Sequence, residues 1–560
     1  MVEMHLGREI RNAKSEIRPR LGGNVNKSKM PSSNDRNTDA APRARLGFWI
    51  SIIRACFGFR ISDFGFCVLL VVVLSAPLPA AEPAPLTVSI ERALLLAMEN
   101  NKSLVVQKMT PEIRRTFEDE ERAVFDPVLS GQASQRRSVA DRLSRAGTGI
   151  ESSIVDTING AIALDKLFST GTAVGLDATS SYTDSSLYSD TFVSNRLGVS
   201  VNQALLQGRS VRANMARVHQ AGLDTQISEY ELRGFTELLV QSVEGAFWDY
   251  ALAKRQIEIY TNSLSLAEQQ MEEAQARITI GTLAETELAA AQAEVALRRE
   301  NLINARSNVA MRRLNLLRLL NPSETIDWDA DIVLEYQTSL PDTPLDPVEQ
   351  HVQVALKMRP DLNQARLLIR RGELEIVRTR DGLLPVLDAF ITYGKTGYAR
   401  TFSEATDEID ERSYDVEAGL LFAYPVKNRA ARARHTRAVV TKQQSIKALE
   451  NLEQLAQVDV RSAYIEVSRA HEQITATAAT RTFQEEKLRV ETEKFRVGKS
   501  TSLLVAQAQR DLVASQIAEI QTITNYFKAL IALYRLEGSL LHRRGIAAPG
   551  VESVELRDSK

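Results

Sequence analysis

Cysteine is almost missing from this chain: among 560 residues there are two, Cys56 and Cys67. Both precede residue 82. The body of the protein therefore holds no disulfide, no thiolate metal site and no cysteine nucleophile. Aromatic residues are sparse at 6%, against an abundance of Ala, Leu, Gln, Glu and Arg, a balance that favours long helices over a sandwich or a nucleotide-binding α/β core. Proline does not occur between 128 and 321 or between 426 and 548, and glycine is absent from 420 to 497. Without those breakers a helix can run far beyond the usual three or four turns. The six histidines (5, 219, 351, 435, 471 and 542) are scattered, with no His-x-x-x-His spacing for zinc, so they read as surface or helix-packing residues.

Excess positive charge is also lacking. Residues 1–81 carry 12 of the 69 basic and 6 of the 71 acidic side chains, which leaves the remainder at about −8. That balance argues against binding nucleic acid by phosphate neutralisation. The apolar run from Phe66 to Ala76 is too short to span a bilayer comfortably and ends in small residues, Pro77-Leu-Pro-Ala-Ala81. It reads as a secretory leader cleaved near Ala80–Glu82, preceded by an unusually long extension; the competing reading is an uncleaved anchor. Cys67 opens the apolar run instead of following it, which speaks against a lipid anchor.

What is present is an internal repeat. With Gly281 set over Gly498, the chain aligns with itself without a gap from Arg209 to Asn321 at a shift of 217. Arg212/Arg429, Ala246/Ala463, Gln292/Gln509, Leu316/Leu533 and Arg318/Arg535 are identical pairs. Nearer the start of each half the shift becomes 258, as in Ala97/Ala355, Leu104/Leu362 and Pro127/Pro385. The difference of 41 residues is one insertion in the first copy, between Pro127 and Arg209. Residues 82–321 thus form the first repeat, 322–350 a proline-rich linker, 351–540 the second repeat and 541–560 a loose tail.

In each copy the apolar residues mark a long helical hairpin, and in the first copy its first arm is read as one helix over 210–279. Tyr250, Ala253, Ile257, Tyr260, Leu264, Ala267, Met271, Ala274 and Ile278 follow a 3,4 spacing, and Leu288, Val295, Leu302, Val309 and Leu316 recur every seventh residue. A period of 3.5 winds helices around one another with a left-handed twist. The hairpins reverse at Gly281 and Gly498. Alternating segments lie between the helical arms. In Tyr414–Tyr424 the even-numbered residues are apolar while Asp415, Glu417 and Gly419 begin the other face, the pattern of a tilted membrane strand. Leu197, Val199 and Val201 alternate likewise in the first copy, and Pro127 and Pro385 each open another strand-like run. The insertion, Ser134–Ser194, reads as an exposed loop that includes an extra hairpin around Thr170–Ala178.

With these pieces in order, the sequence resembles the TolC-like outer-membrane efflux family over nearly all of residues 88–540. Its carriers are Ala93-Leu-Leu-Leu-Ala97 with Leu104, Phe125-Asp-Pro127-Val-Leu129, Gln203-Ala-Leu-Leu-Gln-Gly208, Ala246-Phe-Trp248, Arg277-Ile-Thr-Ile-Gly281 and Phe495-Arg-Val-Gly498. The resemblance implies an α+β membrane protein, a homotrimer in which each protomer gives four strands to one twelve-stranded barrel and its long helices to a periplasmic tube. It implies an outer-membrane duct of a tripartite efflux pump or type I secretion system, working with a periplasmic adaptor protein and an inner-membrane transporter. Gly281, Thr282, Glu287, Gly498 and Lys499 would form the helix-tip mouth and adaptor-docking surface, and Asp415 and Glu417 would face the lumen. Arg496 or Lys499 stands nearest to pair with Glu287. Leu504 and Gln507 replace the acids expected at the second turn. The alternative is a periplasmic coiled-coil structural protein. No nucleophile, base and orienting group can be assembled, so neither an enzyme nor a cofactor is expected.

Overall fold

The computed structural model describes residues 86–143, 150–186, 190–282, 284–321, 328–336, 345–410 and 413–556. The leader with both cysteines, its cleavage region and three of the four prolines of the linker lie outside the described residues. From the start, β1 (Leu86–Val88) leads into α1 (Ile90–Asn100) and α2 (Lys102–Arg122), and four strands follow: β2 (Val128–Leu143), β3 (Ile150–Leu167), β4 (Thr172–Ser185) and β5 (Phe192–Ala204). A short α3 (Val211–Asn214) precedes α4 (Ala216–Thr279), which turns back into α5 (Thr286–Leu320). After β6 (Ile332–Leu334) come α6 (Val348–Met358), α7 (Pro360–Asp381), β7 (Val386–Ala399), a short α8 (Phe402–Asp407) and β8 (Tyr414–Ala423). The chain ends with α9 (Arg429–Arg496), α10 (Ser502–Leu536) and α11 (Leu540–Arg543).

The repeat is visible in the element boundaries. At a shift of 258, α1 maps onto α6 residue for residue, the first residue of α2 maps onto that of α7, and Val128 of β2 maps onto Val386 of β7. At a shift of 217, the last residue of α4 coincides with that of α9. Asn321, which ends α5 in the left-handed region at φ 42°, corresponds to Gly538 at φ 73°. The kink between α1 and α2 is set by Asn101, whose side chain caps the amides of Ser103 and Leu104 and donates to the carbonyl of Leu319. The α4 rod spans 64 residues, about 96 Å at 1.5 Å per residue. Among the described residues no helix is long and apolar enough to cross a membrane.

The sequence-based expectation differs from the structure in three places. The helix expected over 210–279 is interrupted at Met215, between α3 and α4. The insertion is not an exposed loop: most of it is β-strand, and β3 and β4 join the strands that the resemblance implied in a single antiparallel sheet of order β2-β3-β4-β5-β7-β8. Its polar, small-residue composition hides a period-2 pattern carried by few apolar positions, which is why it read as loop. The described part of the tail, up to residue 556, is not loose. Leu540 and Leu541 are buried, and residues 544–556 run as a strap against α4 and α7.

The strap is held by buried polar contacts. Arg544 grips Glu244 with two bonds of 2.7 Å, and burial pushes the Glu244 carboxyl up from its usual range. Arg233 donates to the carbonyls of Gly538 and Gly550, and Tyr230 to that of Glu552. Arg233 also lies 3.4 Å from Glu237, whose carboxyl is pushed up to about 7 by burial. Around them the core joins both copies: Trp248 of α4 stacks on Phe527 of α10 with ring centres 4.2 Å apart. Parallel pairing of β1 with β6 ties the described part of the linker to the start of the first repeat.

Candidate functional site: a two-faced sheet and two helix turns

Alternation and register together sort every strand of the sheet into two faces. One row of directly opposed residues runs Leu129, Leu164, Leu176, Val199, Tyr393, Val416 across all six strands. Each of the six is exposed in the single chain. Ile162, Ala178 and Leu197 extend this surface one pleat along, and Ala418, Leu420 and Phe422 continue it on β8. The short helix α8 covers the end of this face at Val193 and Asn195, both buried, and the row of six named above stays exposed among the described residues. An exposed apolar face this broad is the signature of strands that meet lipid.

The opposite face is polar. The neighbouring row reads Ser130, Ala163, Asp177, Gly198, Gly394, Asp415, and the next contains Asp165, Ser200, Thr392 and Glu417. Arg196 of β5 lies flat across this face, 2.9 Å from Asp177 on β4 and 2.9 Å from Asp415 on β8. It reaches Asp415 only because β7 presents Gly394 between them: a Cβ there would stand 2.4 Å from the guanidinium. Asp415 and Glu417, singled out from the sequence, share this face. Arg196 and Asp177 were missed, since nothing in the local sequence pairs residues on β4, β5 and β8; only the register does.

Far from the sheet along the long helices lie the two reversals. Gly281 (φ 83°) and Gly498 (φ 77°) both take the left-handed conformation. Each stands in the same cap: Gly281 N–H donates to Ile278 and Thr282 N–H to Arg277, while Gly498 N–H donates to Phe495 and Lys499 N–H to Lys494. These paired bonds satisfy the last carbonyls of α4 and α9. Gly281, Thr282, Gly498 and Lys499 are all exposed. The turns touch through two contacts between the copies. Arg277 lies over the Phe495 ring at 5.6 Å, and the Ser502 hydroxyl donates to the Glu287 carboxylate. Within the chain the group that meets Glu287 is thus a hydroxyl, and Arg496 pairs with Glu493 of its own helix at 3.1 Å. Among the described residues no group of histidine, cysteine or carboxylate side chains could hold a metal ion.

Known proteins match this arrangement. The family described as outer membrane efflux protein matches residues 170–322 and 351–539. Among solved structures, a membrane protein from Pseudomonas aeruginosa is 20% identical with a TM-score of 0.59, covering 80% of this chain and 93% of its own. VceC, an outer membrane protein of Vibrio cholerae, is 16% identical at a TM-score of 0.59, covering 80% of this chain and 96% of its own. The CmeC outer membrane channel of Campylobacter jejuni is 12% identical at 0.60, over 80% and 86%. These likenesses show a shared fold. No curated protein matches the sequence.

Proposed function

Starting from the fact that this chain belongs to the outer membrane efflux protein family, and so is an outer-membrane channel, we propose that three copies form a passive export duct. In this reading the apolar face of the sheet meets lipid and the face bearing Asp177, Arg196, Asp415 and Glu417 lines the water-filled lumen. The long helical hairpins cross the periplasm, and their turns at Gly281 and Gly498 dock a periplasmic adaptor that connects an inner-membrane transporter. The residues 82–321 and 351–540 act as two equivalent halves of each protomer. Energy comes from the partners; the chain itself performs no chemistry. Its own contribution is to open and close the aperture that the helix turns surround.

The observation that carries this reading is the pairing of a six-stranded sheet, apolar on one face only, with two helical hairpins whose matching turns lie at the distant end. A soluble coiled-coil protein has no use for such a sheet face. Further support for assembly comes from α9, which leaves Val458, Ile465 and Phe483 exposed in the single chain, as a helix packed against a neighbouring protomer would. Photocrosslinking from cysteines placed at Thr282 and Lys499 tests the docking surface. Adducts with the adaptor are expected from both, and Gly281→Asp or Gly498→Asp is expected to abolish export while trimers still reach the outer membrane. Adducts from the sheet end with none from the turns would reverse the molecule and defeat the proposal.

A further inference from the structure

The inserted hairpin, β3 and β4, sits inside the sheet and not upon it. It separates β2 from β5, and its strands run through the same register as their neighbours. Its alternation is also in phase with theirs. Ile158, Ile162 and Leu164 on β3 and Val174, Leu176 and Ala178 on β4 fall on the apolar face, while Asn159, Asp165, Asp177 and Thr179 fall on the polar one. Ile162, Leu164 and Leu176 are each exposed. A plug folded into a lumen would need polar residues on both faces, and an extracellular flap would need no apolar row aligned with Val199 and Val416. The hairpin is built as wall.

We infer that the barrel of this channel has eighteen strands, six from each of three protomers, instead of the twelve implied by four per protomer. The inference rests on the trimeric duct reading above and commits each free sheet edge to one occupant, a second copy of this chain. Within a bilayer an open edge leaves its N–H and C=O groups unpaired, so β2 and β8 must be covered. Strand direction fits: β2 runs away from the helices and β8 runs back toward them, so β8 of one protomer meets β2 of the next antiparallel. Inserting a whole hairpin preserves that relation, whereas a single extra strand would have made the seam parallel. Barrel diameter grows roughly linearly with strand number, so this barrel is about half again as wide as a twelve-stranded one. The extra strands add no long helix, so they widen the membrane end alone.

Two measurements on the full-length trimer in lipid nanodiscs test this. Single-particle imaging of the unaltered protein should resolve eighteen wall strands; twelve, with residues 150–185 outside the wall, would overturn the inference. Nitroxide labels placed singly at 162, 164 and 176 should be accessible to oxygen and shielded from a water-soluble nickel chelate, with the reverse at 163 and 177. Labels at 199 and 420 report on strands that both barrel sizes share. Lipid exposure at 199 and 420 but water exposure at 162 and 176 sinks the eighteen-stranded barrel and leaves the duct standing. Water exposure at all four sinks both.

Discussion

The two halves of this chain share helix boundaries and differ in what surrounds them. At the shift of 217, the buried Glu244 of α4 corresponds to Arg461 of α9, an exposed residue whose partner is Glu349 at 3.3 Å. Glu237, nearly as buried, corresponds to Gln454. The difference follows from the C-terminal strap, which covers α4 with Arg544, Gly550 and Glu552 and has no counterpart over α9 among the described residues. The sheet repeats the asymmetry: the first half contributes four of its strands and the second half two. Duplication preserved the rods and the turns, which must match for a closed tube. Strand number and surface charge were left to diverge.

The strap contrast predicts the largest effect on stability. Arg544→Ala leaves the Glu244 carboxylate buried and uncompensated, which costs about 3–5 kcal/mol. Arg461→Ala, at the equivalent place on α9, removes an exposed pair and costs at most about 1 kcal/mol. Unfolding of the two purified variants in parallel measures the gap, and equal losses would remove the strap from the account.

Next in size is the contrast between the two faces of β8. Leu420→Lys places a charge on the apolar face and is expected to cost about 2–4 kcal/mol near the bilayer midplane, read as loss of assembled trimer. Glu417→Lys, on the polar face of the same strand, should assemble normally. Gly419 is unsuitable as the control, because the Phe390 ring lies 2.7 Å from where its Cβ would be. Equal behaviour of Leu420→Lys and Glu417→Lys would mean that β8 does not sit in lipid as described.

A smaller effect separates Glu237 from Gln454. Burial raises the Glu237 carboxyl to about 7, above its value in the unfolded chain. The folded state therefore holds this proton more tightly than the unfolded state does. Its contribution to stability is full below about pH 4.5 and is lost as pH rises through about 7. Glu237→Gln makes the first half resemble the second and should flatten the pH dependence of unfolding across that window. An unchanged slope would assign the dependence to other groups.

How much of this was legible depended on whether a feature is local. The helices, the turns at Gly281 and Gly498 and the duplication lay open, because proline-free heptads and a single glycine per reversal are readable along the chain. The alternation of Tyr414–Tyr424 exposed one strand and placed Asp415 and Glu417 together. The β3–β4 hairpin was obscured because its outward residues are interrupted by Gly160 and Ser180, and Ser and Thr dominate between them. Arg196 could not be found at all, since its partners lie 19 and 219 residues away and meet it only through register. The Ser502 contact to Glu287 was out of reach for a similar reason: it depends on how two turns sit side by side.

The duct depends above all on its orientation, with the sheet in the outer membrane and the helix turns in the periplasm. Labelling of intact cells with a membrane-impermeant maleimide tests it most directly, using single cysteines at Asp190, in the connection between β4 and β5, and at Thr282. Labelling is expected at 190 in intact cells, and at 282 only after the outer membrane is permeabilised. Labelling at 282 in intact cells, with 190 protected, would contradict it.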